Sequence, residues 1–369
     1  MKVCFVIPTL TSGGAERVAV TVLSALDPKH ERVLYLFSGE GGVYFDRIAP
    51  GVRVVIARER TWGRRLAELS RFLRSFRPDI VMPFLSYFIT AIAVAMARVP
   101  ARVVFNQGTP TTGFLEDADF AWRRPWRRRL FAVMTRWFYR RADAVVVTSQ
   151  GVADDLVTHY GVPRERMRVL HNPVDLETIA AASREPVAGT PPVAPQLVAV
   201  GRLASVKGYR LLIDAVARLT TTHDTVSAWI LGDGPERDSL ERFAAERGVA
   251  DRIHFLGFHA NPWRFVARAD VLVLTSVYEG FGNVLIEAMA CGTPVVATRS
   301  PGTAEIVVAG ANGLLVDHDP QAVADAVAQV LDDRSLRDRL VAQASIDVQQ
   351  YALPRVAERY EQLFRELVA

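Results

Sequence analysis

The sequence predicts an α/β protein built from two doubly wound parallel-sheet domains, and three observations carry that expectation. Apolar runs of strand length alternate with amphipathic stretches of helix length along the whole chain. The alternation comes in two series, separated by a Pro/Ala/Gly-rich stretch. The chain has 369 residues, half of them hydrophobic, which is enough for two cores of ordinary size.

The first series reads as strands over Val3–Ile7, Val33–Phe37, Val52–Ile56, Ile80–Met82, Val103–Asn106, Val145–Thr148 and Arg168–Leu170. The second reads as strands over Leu197–Val200, Ala228–Leu231, Ile253–Leu256, Val271–Thr275 and Val295–Ala297. Helices on both faces of a parallel sheet account for the stretches between them. The linker candidate is Glu185–Pro195, so the domains are expected at 1–185 and 186–353. Pro354–Val368 reads as a final helix within a segment 354–369. Two such domains would set their strand C-terminal ends near a shared cleft, the edge where open α/β sheets bind ligands.

The net charge is +4, but the first half of the chain is basic and the second mildly acidic, which points to an anionic partner for the first. Cys4 and Cys291 can form no disulfide framework and lack metal spacing; they read as small buried residues in a reducing cytoplasm. The apolar run at Met1–Pro8 is too short for a signal peptide. Ile80–Ala97 is long and uncharged, but Pro83, Ser86 and Thr90 interrupt it. It reads as a buried strand, a loop and a buried helix over Tyr87–Arg98, not as a membrane span.

The chemistry concentrates at Glu279-Gly280-Phe281-Gly282-Asn283-Val284-Leu285-Ile286-Glu287. Two carboxylates flank a glycine turn that follows a buried strand and opens a helix. A helix N-terminus suits a diphosphate, and carboxylates beside it suit hydroxyls. A ligand with a diphosphate and hydroxyls on both sides is a nucleotide-sugar. Arg202 and Lys207 follow the first strand of the second domain and could neutralise the diphosphate from two directions. Lys207 is one of only three lysines in the chain, with Lys2 and Lys29. Gly232 and Gly234 do not complete a G-x-G-x-x-G fingerprint, and no acid stands at the distance a nicotinamide site needs.

These motifs resemble those of the retaining glycosyltransferases of family 4, with the GT-B fold. The E-x7-E stretch 279–287, Gly13-Gly14-Ala15-Glu16-Arg17, Gly201-Arg202-Leu203 with Lys207-Gly208, Leu231–Pro235 and Ala290–Val295 come in the family's order and span nearly the whole chain. The resemblance implies a first domain that binds the acceptor, a second that binds the donor, and a last helix that crosses back to the first. It assigns Glu279 to the transferred sugar and Glu287 to the ribose. The backbone N–H groups of Phe281 and Gly282 would then hold sugar hydroxyls, and those of Val284 and Leu285 the diphosphate. Asn283, Gly201 and Gly232 would line the donor site, and the loop at Gly13 and Gly14 would reach the donor phosphate. Catalysis would fall to Glu279, Arg202 and Lys207. Segment 254–259 would read the base, largely through backbone groups. Glu16, Asn106, Gln107 and His171 are the acceptor-side candidates. Asn106-Gln107 departs from the family, which often has a histidine or an acid there, and His171 is read as structural before catalytic. No Asp-x-Asp pair sits at the donor site, so neither metal nor cofactor is expected.

Residues 122–141 form a second unusual segment, with eight arginines, three tryptophans and no acid. From Trp126, the positions Leu130, Val133, Met134 and Trp137 keep helical spacing. Arg123, Arg124, Trp126, Arg127, Arg128 and Arg129 then mark a basic amphipathic helix suited to an anionic membrane or a diphosphate-linked acceptor. The bland alternative is a helix with its apolar stripe in the core. Nucleic acid has no supporting motif. The sequence thus reads as a cytoplasmic enzyme, peripheral to the inner face of the plasma membrane, that transfers a sugar from a UDP-sugar such as UDP-GlcNAc or UDP-GalNAc to a lipid-linked or polysaccharide-precursor acceptor. Its rivals are a soluble enzyme using GDP-mannose or another donor on a small acceptor, a nucleotide-sugar epimerase, and a non-catalytic sensor.

Overall fold

The computed structural model describes residues 1–11, 13–39, 42–111, 125–187 and 196–369. Its contacts group into two compact units: Met1–Pro173 with Leu353–Ala369, and Val174–Ala352.

In the first unit the strands are β1 (Lys2–Ile7), β2 (Glu31–Leu36), β3 (Val52–Ile56), β4 (Ile80–Pro83), β5 (Arg102–Gln107), β6 (Ala144–Val147) and β7 (Met167–Val169). They form one parallel sheet in the order β3-β2-β1-β4-β5-β6-β7. The helices between them are α1 (Gly14–Ala25), α2 (Trp62–Phe76), α3 (Tyr87–Ala97), α4 (Pro125–Tyr139) and α5 (Gln150–Tyr160). Alternation along β1 sorts the helices to two faces. Val3, Phe5 and Ile7 pack with α1, while Cys4 and Val6 pack with α2 and α3. The sequence therefore switches face between β1 and β4, the neighbours at the centre of the sheet. No helix among the described residues is long and apolar enough to cross a membrane.

The second unit has β8 (Gln196–Val200), β9 (Ser227–Leu231), β10 (Ile253–Gly257), β11 (Val271–Leu274), β12 (Val295–Thr298) and β13 (Leu314–Val316). These form a parallel sheet in the order β10-β9-β8-β11-β12-β13. β13 was not expected; three residues after Gly313 are too short a run to stand out by pattern. The helices are α6 (Leu176–Ala182), α7 (Tyr209–Leu219), α8 (Arg237–Glu246), α9 (Trp263–Val266), α10 (Asn283–Ala290), α11 (Pro301–Ile306), α12 (Pro320–Asp332) and α13 (Arg334–Asp347). Leu197, Val271 and Val273 face α7 and α12, and Val198, Leu272 and Leu274 face α10. The switch point here lies between β8 and β11.

The division falls at Pro173/Val174, earlier than the expected 185/186. The cause is packing. Val174 pairs with Ala352 and, with Ile179 of α6, lies in the apolar core around α10, so the chain joins the second unit before the Pro-rich stretch. Most of that stretch, 188–195, lies outside the described residues.

The last helix, α14 (Leu353–Val368), belongs to the first unit. Val356, Tyr360, Leu363 and Phe364 recur at helical spacing and are buried with Phe5 and the apolar face of α1. Burial of each such side chain contributes about 1.5–3 kcal/mol.

Candidate active site

The loops after β8 and β11 flank the switch point of the second unit, and they carry the polar side chains. Lys207 closes a short 3-10 turn, Ser205–Lys207, and its Nζ donates to Glu279 Oε2 at 2.8 Å. Ser276 Oγ donates to the same oxygen at 3.0 Å. Tyr209 Oη donates to the Gly201 carbonyl at 3.0 Å, and burial raises its pKa, with Glu279 adding to the effect. Arg202 is exposed on the same loop.

Glycines let these loops approach one another. A Cβ on Gly232, which has φ +137°, would lie 2.0 Å from the Gly201 carbonyl oxygen. Backbone bonds from Gly201 N to Leu231 O and from Leu203 N to Asp233 O lock the two loops together. The sequence reading missed Gly302. A Cβ there would lie 2.4 Å from the Glu279 carbonyl oxygen, so α11 presses on the loop that aims Glu279. The signal was Ser300-Pro301-Gly302-Thr303, a capping box with Pro at the helix start.

Gly282 has φ +77° and caps α10, which runs from Asn283. Phe281 is buried, its ring edge-on to Tyr351 at 5.6 Å, so it packs the turn. Leu285 departs from expectation. Its N–H donates to the Gly282 carbonyl at 2.9 Å, closing the first turn, and that amide is spent before any diphosphate arrives. Val284 and Asn283 remain in the first turn of α10. Glu287 is buried, and Trp263 Nε1 donates to its Oε2 at 2.8 Å, a partner the sequence did not reveal. Burial, with Glu287 adding, pushes the Cys291 thiol up to about 12, so this cysteine is inert at neutral pH. At the end of β10, Phe258 is an exposed ring that sequence reasoning also passed over. A depression lined by Glu241, His254 and Phe255 lies at the edge of this sheet and includes none of the residues above.

Two matches divide the chain within about a dozen residues of the boundary between the units. Residues 12–178 match the model of "Glycosyltransferase Family 4", and residues 185–346 match "Glycosyl transferases group 1". The lipopolysaccharide core biosynthesis glycosyltransferase LpsD of Rhizobium meliloti (strain 1021) is 34% identical over 375 residues, 97% of each chain. The chain belongs to glycosyltransferase family 4. An N-acetylgalactosaminyltransferase of Campylobacter jejuni, named for a diphospho-undecaprenol-linked substrate, is 29% identical over 91% of this chain and 92% of that one. The fold is GT-B. The structure of Anabaena HepE, solved with UDP-glucose, superposes with a TM-score of 0.81 at 22% identity, covering 99% of this chain and 100% of that one.

In the first unit of this glycosyltransferase, three acceptor-side candidates are engaged by the protein itself. Asn106 is buried, and its Nδ2 donates to Tyr360 Oη of α14 at 3.2 Å. Gln107 is buried, its Oε1 accepting from Tyr139 Oη at 2.6 Å and its Nε2 donating to the Thr109 carbonyl. Both side chains tie β5 to its neighbours. Glu16 is buried and turned back over Gly13, where a Cβ would lie 2.1 Å from its Oε2. That carboxylate sits at the positive end of α1, where it complements the helix dipole. Gly14 begins α1 with open space around it, and Ser12 lies outside the described residues. His171 follows β7 and is half-buried.

Helix α4 overturns the bland reading of the arginine-rich segment. Trp126, Leu130, Val133 and Trp137 form one stripe, and each is between 48% and 64% exposed. Phe131 and Phe138, on another face, meet Phe88 of α3. The Arg127 guanidinium lies over the Trp126 ring at 5.3 Å, and that of Arg141 over Trp137 at 3.9 Å. Arg128 and Arg129 are exposed beside the stripe. Arg123 and Arg124 lie outside the described residues. Among the described residues, no three His, Cys, Asp or Glu side chains cluster as a metal site requires.

Proposed function

We propose that this glycosyltransferase moves a sugar, with N-acetylglucosamine and N-acetylgalactosamine the leading candidates, from a uridine diphosphate carrier to a lipid-linked or polysaccharide-precursor acceptor, with retention of configuration. The observation that carries the reading is the cluster of Lys207, Ser276 and Glu279 at the β8/β11 switch point, beside the start of α10. The names of its relatives, one of lipopolysaccharide core synthesis and one acting on a diphospho-undecaprenol-linked sugar, support the acceptor class.

The second unit binds the donor and the first the acceptor. Lys207 and Glu279 neutralise each other; an arriving diphosphate competes for the ammonium and leaves Glu279 to accept from sugar hydroxyls. Arg202 adds a second cation, Glu287 accepts from the ribose, and Phe258 offers a ring face to the base. The acceptor hydroxyl attacks the anomeric carbon from the face the diphosphate leaves. The carbon–oxygen bond to the diphosphate breaks as the new one forms, and the acceptor proton passes to the departing diphosphate. Charge grows on that group, where Lys207, Arg202 and the helix end stabilise it. No metal takes part. The exposed basic and aromatic stripe of α4 holds the enzyme to the anionic cytoplasmic face of the membrane, where a polyprenyl diphosphate presents its sugar.

A thermal-shift screen of uridine and guanosine diphosphate-sugars, followed by mass spectrometry of transfer to lipid-linked acceptors with and without chelator, tests the reading. Stabilisation by guanosine donors alone removes the uridine assignment. Loss of activity with chelator that a divalent cation restores removes metal independence, and an inverted anomer in the proton NMR spectrum of the product removes retention.

A further inference from the structure

We propose that Leu85 is a positioning contact for the acceptor sugar, an inference that rests on the function proposed above and adds a residue to it. Among the described residues, the non-glycine positions with positive φ are Arg77, Leu85 and Arg98, at 53°, 57° and 53°. Arg77 and Arg98 are the left-handed C-caps of α2 and α3, so helix termination accounts for them. Leu85 ends no helix; it lies between β4 and α3. A bulky apolar residue keeps this conformation only where its surroundings impose it.

The neighbours on either side impose it. Phe84 N–H donates to the Val6 carbonyl at 2.8 Å, and its ring is buried 5.2 Å from that of Phe5. Ser86 Oγ donates to the same carbonyl at 3.1 Å and lies 3.2 Å from Thr90 Oγ1. Both flanking residues are thus tied to β1 and buried, while Leu85 between them is 54% exposed. More than half of Leu85 is held out of the core, in a backbone conformation that is costly for a bulky residue. Glycine or asparagine would take the same φ at lower cost.

The position supplies the reason. β1 and β4 flank the switch point of the first sheet, and in open α/β sheets ligands bind outside the strand ends at that point. Leu85 stands at the end of β4. Its side chain offers an apolar contact to the C–H face of a pyranose ring, beside a hydroxyl that must be aimed at the donor. Strain kept at a ligand-binding edge is the form such a contact takes.

The test compares Leu85→Gly and Leu85→Asn with the native chain. UDP-N-acetylglucosamine and UDP-N-acetylgalactosamine serve as donors, with a short polyprenyl diphosphate-linked N-acetylhexosamine disaccharide as acceptor. Both variants are expected to unfold at or above the native midpoint, with donor KM unchanged and acceptor KM raised about tenfold. Native acceptor KM in both variants overturns the proposal and leaves the proposed function standing. A lower unfolding midpoint in both also overturns it, because Leu85 then serves the fold. A native chain that turns over neither donor overturns the proposed function itself.

Discussion

Lys207 and Glu279 are 72 positions apart, yet their charged atoms stand 2.8 Å from each other. Each was legible in the sequence as part of its own motif. Their contact was not, because it depends on how two strand ends are set side by side. If the pair serves the departing diphosphate, Lys207→Met should lower kcat by about 10²–10³ with the fold intact, as loss of a preorganised charge does. Steady-state kinetics beside circular dichroism checks this, and Glu279→Gln should lose turnover on a similar scale. Native kcat in Lys207→Met would remove the assignment. Gly232 gives a contrasting residue-scale prediction. A Cβ there would meet the Gly201 carbonyl oxygen at 2.0 Å. Gly232→Ala should therefore destabilise the second unit by about 2–4 kcal/mol, measured by urea unfolding. An unchanged midpoint would mean that the loop has room to move.

At the scale of elements, α4 separates what a pattern says from what it means. Helical spacing of Trp126, Leu130, Val133 and Trp137 was evident in the sequence, but spacing alone cannot say whether a stripe faces core or solvent. The structure turns it outward, with arginines stacked on two of its rings. Trp126→Ser with Trp137→Ser should reduce co-sedimentation with anionic vesicles about tenfold or more, since each buried aromatic contributes about 1.5–3 kcal/mol. Thermal stability should hold, because these rings touch little of the core. Equal binding to neutral and anionic vesicles by the native chain would count against the charged component. The final helix makes the opposite point. Its apolar stripe was readable and is buried, and its Tyr360 accepts from the amide of Asn106, a bond between helix and strand that the sequence did not show.

At the scale of the molecule, the alternation of runs foretold two parallel sheets, and every expected strand is present within a residue or two. The contacts change partner at Pro173/Val174, ahead of the division expected at 185/186, because composition does not record where packing changes. Stability of the whole should depend on pH through half-buried imidazoles. Burial lowers the pKa of His30, with the N-terminal amine adding, and outweighs the opposing pull of Glu361 on α14, 3.8 Å away. His254 is lowered by burial as well. Both groups bind protons more readily when unfolded. Their contribution is therefore present above the ordinary imidazole pKa of 6.5 and is lost as pH falls below it. The unfolding midpoint should drop between about pH 7 and pH 5, with a slope of at most about 1.4 kcal/mol per pH unit for each group. His30→Gln should flatten the profile, and a profile that the substitution leaves unchanged would show that the pull of Glu361 cancels the effect of burial.

Periodicity, turn residues and motif order reside in neighbours along the chain. For that reason the sequence by itself determined every strand but the short β13, the glycine loops, the family and the two motifs of the donor side. Burial and pairing reside in partners far away in the chain. The tertiary structure alone decided that Asn106 bonds to Tyr360, 254 positions on, that Lys207 meets Glu279, that the stripe of α4 faces out, and that Leu85 is held in a strained conformation at the edge of its sheet. A polar side chain is available to a ligand only when folding has left it without a closer claim, and that claim is settled by long-range packing rather than by local sequence.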